Sequence, residues 1–157
     1  MEKSLKYADQ DYPLENRCVF PHSRNEIKTV LIIEYEKLVR DSLAEIMFQV
    51  GVPVLTAANG AAGLELYQKH ADEVGLVFLD YAIPGMNGEK FFHELRKLNP
   101  CIKVILSSCY IDLTIVNRLQ KEEHFDFLPK PFGVKKFLEK LDLAFDRGRL
   151  VNASVSV

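Results

Sequence analysis

The chain has 157 residues, with 20 Lys and Arg against 22 Asp and Glu, a net charge of −2 and a hydrophobic share of 48%. That is enough for one domain with a real core and some excess. It offers no basic surplus for nucleic acid, and no apolar run approaches the ~20 residues that span a bilayer. The first residues lack the apolar core of a secretory signal, so a cytoplasmic location is expected. Cys18, Cys101 and Cys109 are odd in number and form no CxxC pair; they read as free thiols rather than a disulfide frame or a zinc site.

Residues 1–27 are polar, with Pro13 and Pro21 and no sustained period, and read as an extension or linker. From Lys28 the texture changes to short apolar runs alternating with helical patterns, the signature of βα units. The run 29–33 is β-branched and continuous, as suits a strand buried on both faces. Val39, Leu43, Ile46, Met47 and Val50 follow at helical spacing, and Gly51 stops that helix. Residues 52–57 predict a second strand. Asn59 and Gly60 open a second helix with Leu64 and Tyr67 inward. A third strand is predicted over 76–79, then a loop over 80–88 rich in turn residues. Phe91, Phe92, Leu95 and Leu98 line a third helix that ends at Asn99-Pro100. A fourth strand over 103–106, a weaker helix over 111–119, a short fifth strand over 125–128 and a last helix along Val134, Phe137, Leu138, Leu141 and Phe145 complete the pattern. Five βα units are too few for a closed eight-stranded barrel. They predict an open α/β domain over 28–146, a parallel sheet with helices on both faces, followed by a tail over 147–157.

In such a sheet, chemistry collects at the carboxyl ends of the strands. After the first strand stand Glu34, Tyr35 and Glu36; after the third, Asp80; after the fourth, Ser107 and Ser108; after the fifth, Lys130 and Pro131. Carboxylates, a hydroxyl and an ammonium on one edge suit a phosphoryl group and a divalent cation. A carboxylate can become an aspartyl phosphate, acidic neighbours can hold Mg²⁺, and the ammonium and hydroxyl can bind the remaining oxygens.

The stretches TVLIIEYEKLVR, VFLDYAIPGMNG, KVILSSCY and FLPKPF, each ending its own strand, resemble the receiver domain of two-component response regulators. The general texture is also similar to receivers attached to hybrid sensor kinases. The resemblance implies a flavodoxin-like strand order 2-1-3-4-5 and a bacterial signalling switch rather than a metabolic enzyme. It implies that Asp80 is the phosphoacceptor, that Lys130 pairs with Asp80 or its phosphoryl group, and that the Lys130–Pro131 bond is cis. Ser107 would hydrogen-bond the phosphoryl oxygen, and Phe127 would be the aromatic switch that follows it. Lacking a tyrosine hydroxyl, Phe127 can move but cannot hydrogen-bond when exposed. Glu34, Asp80 and the backbone carbonyl of Ala82 would hold Mg²⁺. The implied partners are a histidine kinase or phosphotransfer protein and a downstream protein target, with a second copy of the chain as another candidate, and neither nucleic acid nor membrane.

The departure lies at Tyr35, where the family usually carries a carboxylate that binds the metal directly. A phenol with a pKa near ~10 is a poor Mg²⁺ ligand, so weakened metal affinity is expected. The alternative is a pseudo-receiver that signals through contacts without phosphate. Ala82 and Cys109 occupy the places that influence water attack on the acyl phosphate, and neither readily positions a water, so slow hydrolysis is expected. The run His93-Glu94-Leu95-Arg96 looks like a kinase phosphoacceptor box, but it falls on the third helix without a dimerising hairpin. His22, His70 and His124 lack ligand spacing and read as surface residues. A flavin carrier shares the topology, but its first loop needs phosphate-cradling Ser, Thr and Gly; Glu34-Tyr35-Glu36 would repel the phosphate.

Overall fold

A run of five apolar and β-branched residues forms β1 (Thr29–Ile33), and all five are buried. Such a run has no polar side, so it can lie only in the middle of a sheet covered on both faces. The computed structural model describes residues 28–110 and 112–145; the expected extension over 1–27, with Cys18 and His22, and the tail lie outside the described residues. After β1 come α1 (Lys37–Gln49), β2 (Val54–Ala57), α2 (Gly60–Lys69), β3 (Val74–Asp80), α3 (Gly88–Leu98), β4 (Lys103–Ser108), α4 (Leu113–Leu119), β5 (Phe125–Pro129) and α5 (Val134–Phe145). The strands form one sheet in the order β2-β1-β3-β4-β5, and every pairing is parallel. This is the expected doubly wound α/β fold.

Alternate residues of each strand feed opposite faces. On one face Leu31, Ile33, Val77, Leu79, Val104 and Leu106 pack with Tyr67 of α2, Phe91, Phe92 and Leu95 of α3, and Leu119 of α4. On the other, Val30, Ile32, Leu76, Phe78, Ile105 and Leu128 pack with Leu43 and Met47 of α1 and with Phe137, Leu138 and Leu141 of α5. Phe78 meets Phe132 and Phe137 edge-on. Each fully buried side chain of this size contributes about 1.5–3 kcal/mol of transfer free energy.

The helix starts follow their local chemistry. Asn59 caps α2 by accepting from the Ala62 N–H at 2.9 Å, Asn87 caps α3 through the Lys90 N–H, and Asp112 caps α4 through the Thr114 N–H. Gly51, just after α1, has φ +71°, the left-handed conformation that a helix stop uses. Gly88 allows a close approach: a Cβ there would sit 2.8 Å from the Tyr81 Cα.

Three expectations are corrected. Asp80 is the last residue of β3 rather than the first of a loop, and Ser107 and Ser108 end β4 rather than follow it. The reason is backbone pairing, which carries the ladder on as Asp80↔Ser107, Ser107↔Leu128 and Ser108↔Pro129. The second strand starts at Val54, not at 52, because the Val52 N–H is taken by the Met47 carbonyl. Cys101 is disulfide-bonded, whereas Cys109 is free and exposed.

His93 lies exposed on α3, 3.8 Å from Glu89. Arg96 donates to the carbonyls of Pro100, Ile102 and Glu123 and stacks over Phe92 at 4.6 Å. Arg96 of the kinase-like run thus joins α3 to its neighbours, while His93 faces a residue of its own helix. His70 pairs with Glu73 at 3.1 Å, and His124 is partly buried in a turn with φ 60°. No helix among the described residues is long and apolar enough to cross a membrane.

Candidate functional site: a lysine between two buried carboxylates

The parallel register aligns the carboxyl ends of the central strands. The chain leaves β1 at Ile33, whose partner on β3 is Leu79, so Glu34 and Asp80 emerge one residue later on the same rim. Asp80 is in register with Ser107, and Ser107 with Leu128, which puts Lys130 two residues further on, just past the end of β5. The rim is closed by backbone hydrogen bonds, from the Tyr81 N–H to the Ser107 carbonyl at 2.8 Å and from the Lys130 N–H to the Ser108 carbonyl at 3.0 Å. The Lys130–Pro131 peptide is cis.

Lys130 joins the set. Its Nζ lies 2.8 Å from Glu34 Oε2 and 3.2 Å from Asp80 Oδ2. The lysine side chain is 14% exposed and that of Glu34 is fully buried; Asp80 is 6% exposed. The second oxygen of each carboxylate takes a backbone N–H, Glu34 Oε1 from Glu36 at 2.9 Å and Asp80 Oδ1 from Ala82 at 3.1 Å. Burial pushes the Glu34 carboxyl above its ordinary pKa, only partly offset by the hydrogen bond from Lys130. Burial works against the Lys130 ammonium, but the Glu34 hydrogen bond and the Asp80 charge outweigh it, so its pKa is raised.

Ser107 is fully buried, and its Oγ donates to the Leu128 carbonyl at 2.8 Å. Phe127 is partly buried against the cluster that contains Leu106 and Leu119. Ala82 is exposed at the mouth of the site, and so is Cys109. Tyr35 is 60% exposed. Arg40 fixes the turn between them by donating to the carbonyls of Glu34 at 2.7 Å and Tyr35 at 3.1 Å. The structure therefore brings together Glu34, Asp80, Ser107 and Lys130 and leaves Tyr35 out.

The sequence reading missed two features. One is that Glu34 holds the lysine; the other is the Arg40 clamp. The spacing of Arg40, six residues after Glu34 and in the first turn of α1, was the available signal. The acidic set also does not fit a magnesium ion. Among the described residues no three acidic, histidine or cysteine side chains gather to hold a metal, and all four carboxylate oxygens at the rim face protein donors.

The comparisons agree with this geometry. The family profile described as response regulator receiver domain matches residues 30–142. The sensor kinase CckA of Brucella abortus is 37% identical over 121 residues, 73% of this chain and 13% of the kinase. Sporulation initiation phosphotransferase F of Bacillus subtilis is 28% identical over 116 residues, 69% of this chain and 92% of that protein. The crystal structure of the receiver domain of the hybrid histidine kinase CckA superposes with a TM-score of 0.63 at 26% identity, covering 74% of this chain and 98% of that one. A CheY-like receiver domain of Methanospirillum hungatei does so with a TM-score of 0.69 at 26% identity, covering 77% and 95%. The chain spans 13%, 53% and 28% of the length of the first three curated relatives. With the 2-1-3-4-5 sheet and an aspartate, a lysine and a serine gathered on one rim, the chain belongs to the response regulator receiver domains of two-component systems.

Proposed function

We propose that Asp80 accepts a phosphoryl group from the phosphohistidine of a kinase or phosphotransfer protein, and that the chain signals by binding another protein. The observation that carries this reading is the Lys130 ammonium 3.2 Å from Asp80 Oδ2. In the transfer an Asp80 oxygen forms the bond to phosphorus while the P–N bond to the donor imidazole breaks. The imidazole nitrogen keeps the electron pair and takes a proton. Lys130 offsets charge on the phosphoryl oxygens, and the Ala82 N–H, now on Asp80 Oδ1, orients the carboxylate. The acyl phosphate carries about two negative charges where the carboxylate carried one. That change draws Lys130 from Glu34 and competes for the Ser107 hydroxyl, now committed to the Leu128 carbonyl. Phe127, next to Leu128, is the side chain placed to repack with it. The chain acts as a switch, not as a metabolic enzyme, and works in the cytoplasm. Tyr35, Leu38, Tyr110 and Leu113 stand exposed on the segments that leave β1 and β4, and this supports a protein partner at the acceptor edge.

The test is incubation with phosphoramidate, a small P–N donor, followed by intact-mass and peptide analysis. One phosphate on Asp80, absent from Asp80→Asn, is the expected result. No adduct, with the fold intact, favours the second reading: an interaction module that signals without phosphate. The observation on its side is Tyr35, exposed where a carboxylate would serve a metal.

A further inference from the structure

We propose that the Lys130 ammonium, held by Glu34, is the working cation of this site, and that the domain needs no divalent ion there. The inference deepens the reading of Asp80 as acceptor and assigns Glu34 as a positioning residue for Lys130 rather than a metal ligand. The first ground is occupancy. Glu34 Oε2 is 2.8 Å from Lys130 Nζ and Glu34 Oε1 is 2.9 Å from the Glu36 N–H. Both Asp80 oxygens likewise face donors, Lys130 and the Ala82 N–H. Mg²⁺ requires near-octahedral oxygen ligands at ~2.0–2.1 Å and loses its waters reluctantly. It would have to compete with these donors, at Glu34 for a carboxylate that solvent does not reach.

The second ground is charge. Glu34 and Asp80 contribute −2 and Lys130 +1, so the rim carries −1, and a divalent ion would overcharge it to +1. A carboxylate at position 35 would bring the rim to −2, which a divalent ion neutralises. Tyr35 supplies no such charge and lies outside the cluster, 60% exposed.

The lysine placement also gives Glu34 a purpose. Its buried carboxylate keeps the ammonium charged and within reach of Asp80, and when a phosphoryl group arrives the ammonium has only to shift between adjacent anions.

The experiment is a magnesium titration of the full ¹⁵N-labelled chain to about 20 mM, following the amides of Glu36, Tyr81 and Ala82. The wild type is expected to show no saturable shift. Tyr35→Asp, at an exposed position that leaves the fold intact, is expected to saturate in the low-millimolar range, at least about tenfold tighter than wild type. Lys130→Met, which frees both carboxylates, is expected to behave likewise. Saturation of the wild type below about 5 mM, or variants that bind no more tightly than it, overturns the proposal. Phosphoramidate labelling of Asp80 in EDTA and in magnesium is run beside it. Equal labelling supports the proposal, and labelling that requires magnesium overturns it. An absence of label in both conditions counts against the acceptor reading alone, because the titration still decides the cation.

Discussion

Removing the lysine should expose how far the buried carboxylates depend on it. With an effective dielectric constant of about 20, one charge pair at 2.8 Å attracts by ~6 kcal/mol and one at 3.2 Å by ~5 kcal/mol, before desolvation is charged against them. Desolvation consumes most of that, and the raised pKa of Glu34 says that for this residue burial outweighs pairing. The two partners should therefore respond unequally. Lys130→Met leaves Glu34 and Asp80 buried and facing one another without a cation, and should cost about 3–4 kcal/mol, the range for breaking one side of a buried pair. Glu34→Gln leaves Lys130 with Asp80 and removes a charge that burial disfavours, so it should fall within about 1 kcal/mol of zero. The double variant should recover about 2 kcal/mol of the lysine loss, and that coupling is the quantity sought. Urea unfolding of all four proteins at neutral pH measures it. The sign with pH is fixed as well. Because the folded Lys130 pKa lies above its ordinary value, its stabilisation is complete below the unfolded lysine pKa and disappears as pH rises through the folded one. The gap between wild type and Lys130→Met should hold around neutrality and close in alkali, and it should narrow in acid as well, where Glu34 takes up a proton. A lysine loss under about 1 kcal/mol, or no rescue by Glu34→Gln, would refute the reasoning.

Ser107→Ala removes the buried hydroxyl that donates to Leu128 and should cost about 1 kcal/mol in urea unfolding, with a larger loss of amide protection in β5 than in β2. Asp112, whose pKa is lowered by the Thr114 N–H and hydroxyl, should stabilise the start of α4 above the unfolded aspartate pKa and stop doing so as pH falls through the folded one; the Thr114 amide shift follows this, and Asp112→Asn should flatten it. Ala82→Asn places a water-orienting amide at the mouth of the site and should hasten loss of the Asp80 phosphate, measured by the decay of the intact-mass adduct. An unchanged decay rate would count against Ala82 as the reason for slow hydrolysis.

The fold was legible because the central strands are built on continuous apolar runs and α1 and α3 carry their own stops. Gly51 after α1 and Asn99-Pro100 after α3 fall at the observed ends, and α5 spans the range that its apolar spacing marks. Strand ends were less legible. Asp80, Ser107 and Ser108 are polar, so they read as loop, yet parallel pairing extends the ladder through them. Backbone hydrogen bonds do not depend on side-chain polarity, and only the register shows where they stop. The rim itself could be read, since the residues at and just beyond the carboxyl ends of β1, β3 and β5 name Glu34, Asp80 and Lys130. The lysine's choice of partner could not. Whether an ammonium sits nearer one carboxylate than another depends on differences of tenths of an ångström, here 2.8 Å to Glu34 against 3.2 Å to Asp80.

These distances bear on how a change at Asp80 travels. Lys130 is the residue after β5, and its ammonium is the contact from that strand end to Glu34 after β1 and Asp80 of β3. Ser107, opposite Asp80 on β4, holds the same strand through the Leu128 carbonyl. Asp126, further back on β5, is tied to Lys140 of α5 at 2.7 Å and 2.8 Å. Charge added at Asp80 would therefore act on β5 at two adjoining points, one ionic and one neutral, and α5 is fastened to that strand. β2 lies on the far side of β1 and has neither link. The differential contact that the proposed two-state switch requires would thus be concentrated on the β4–β5–α5 side of the sheet.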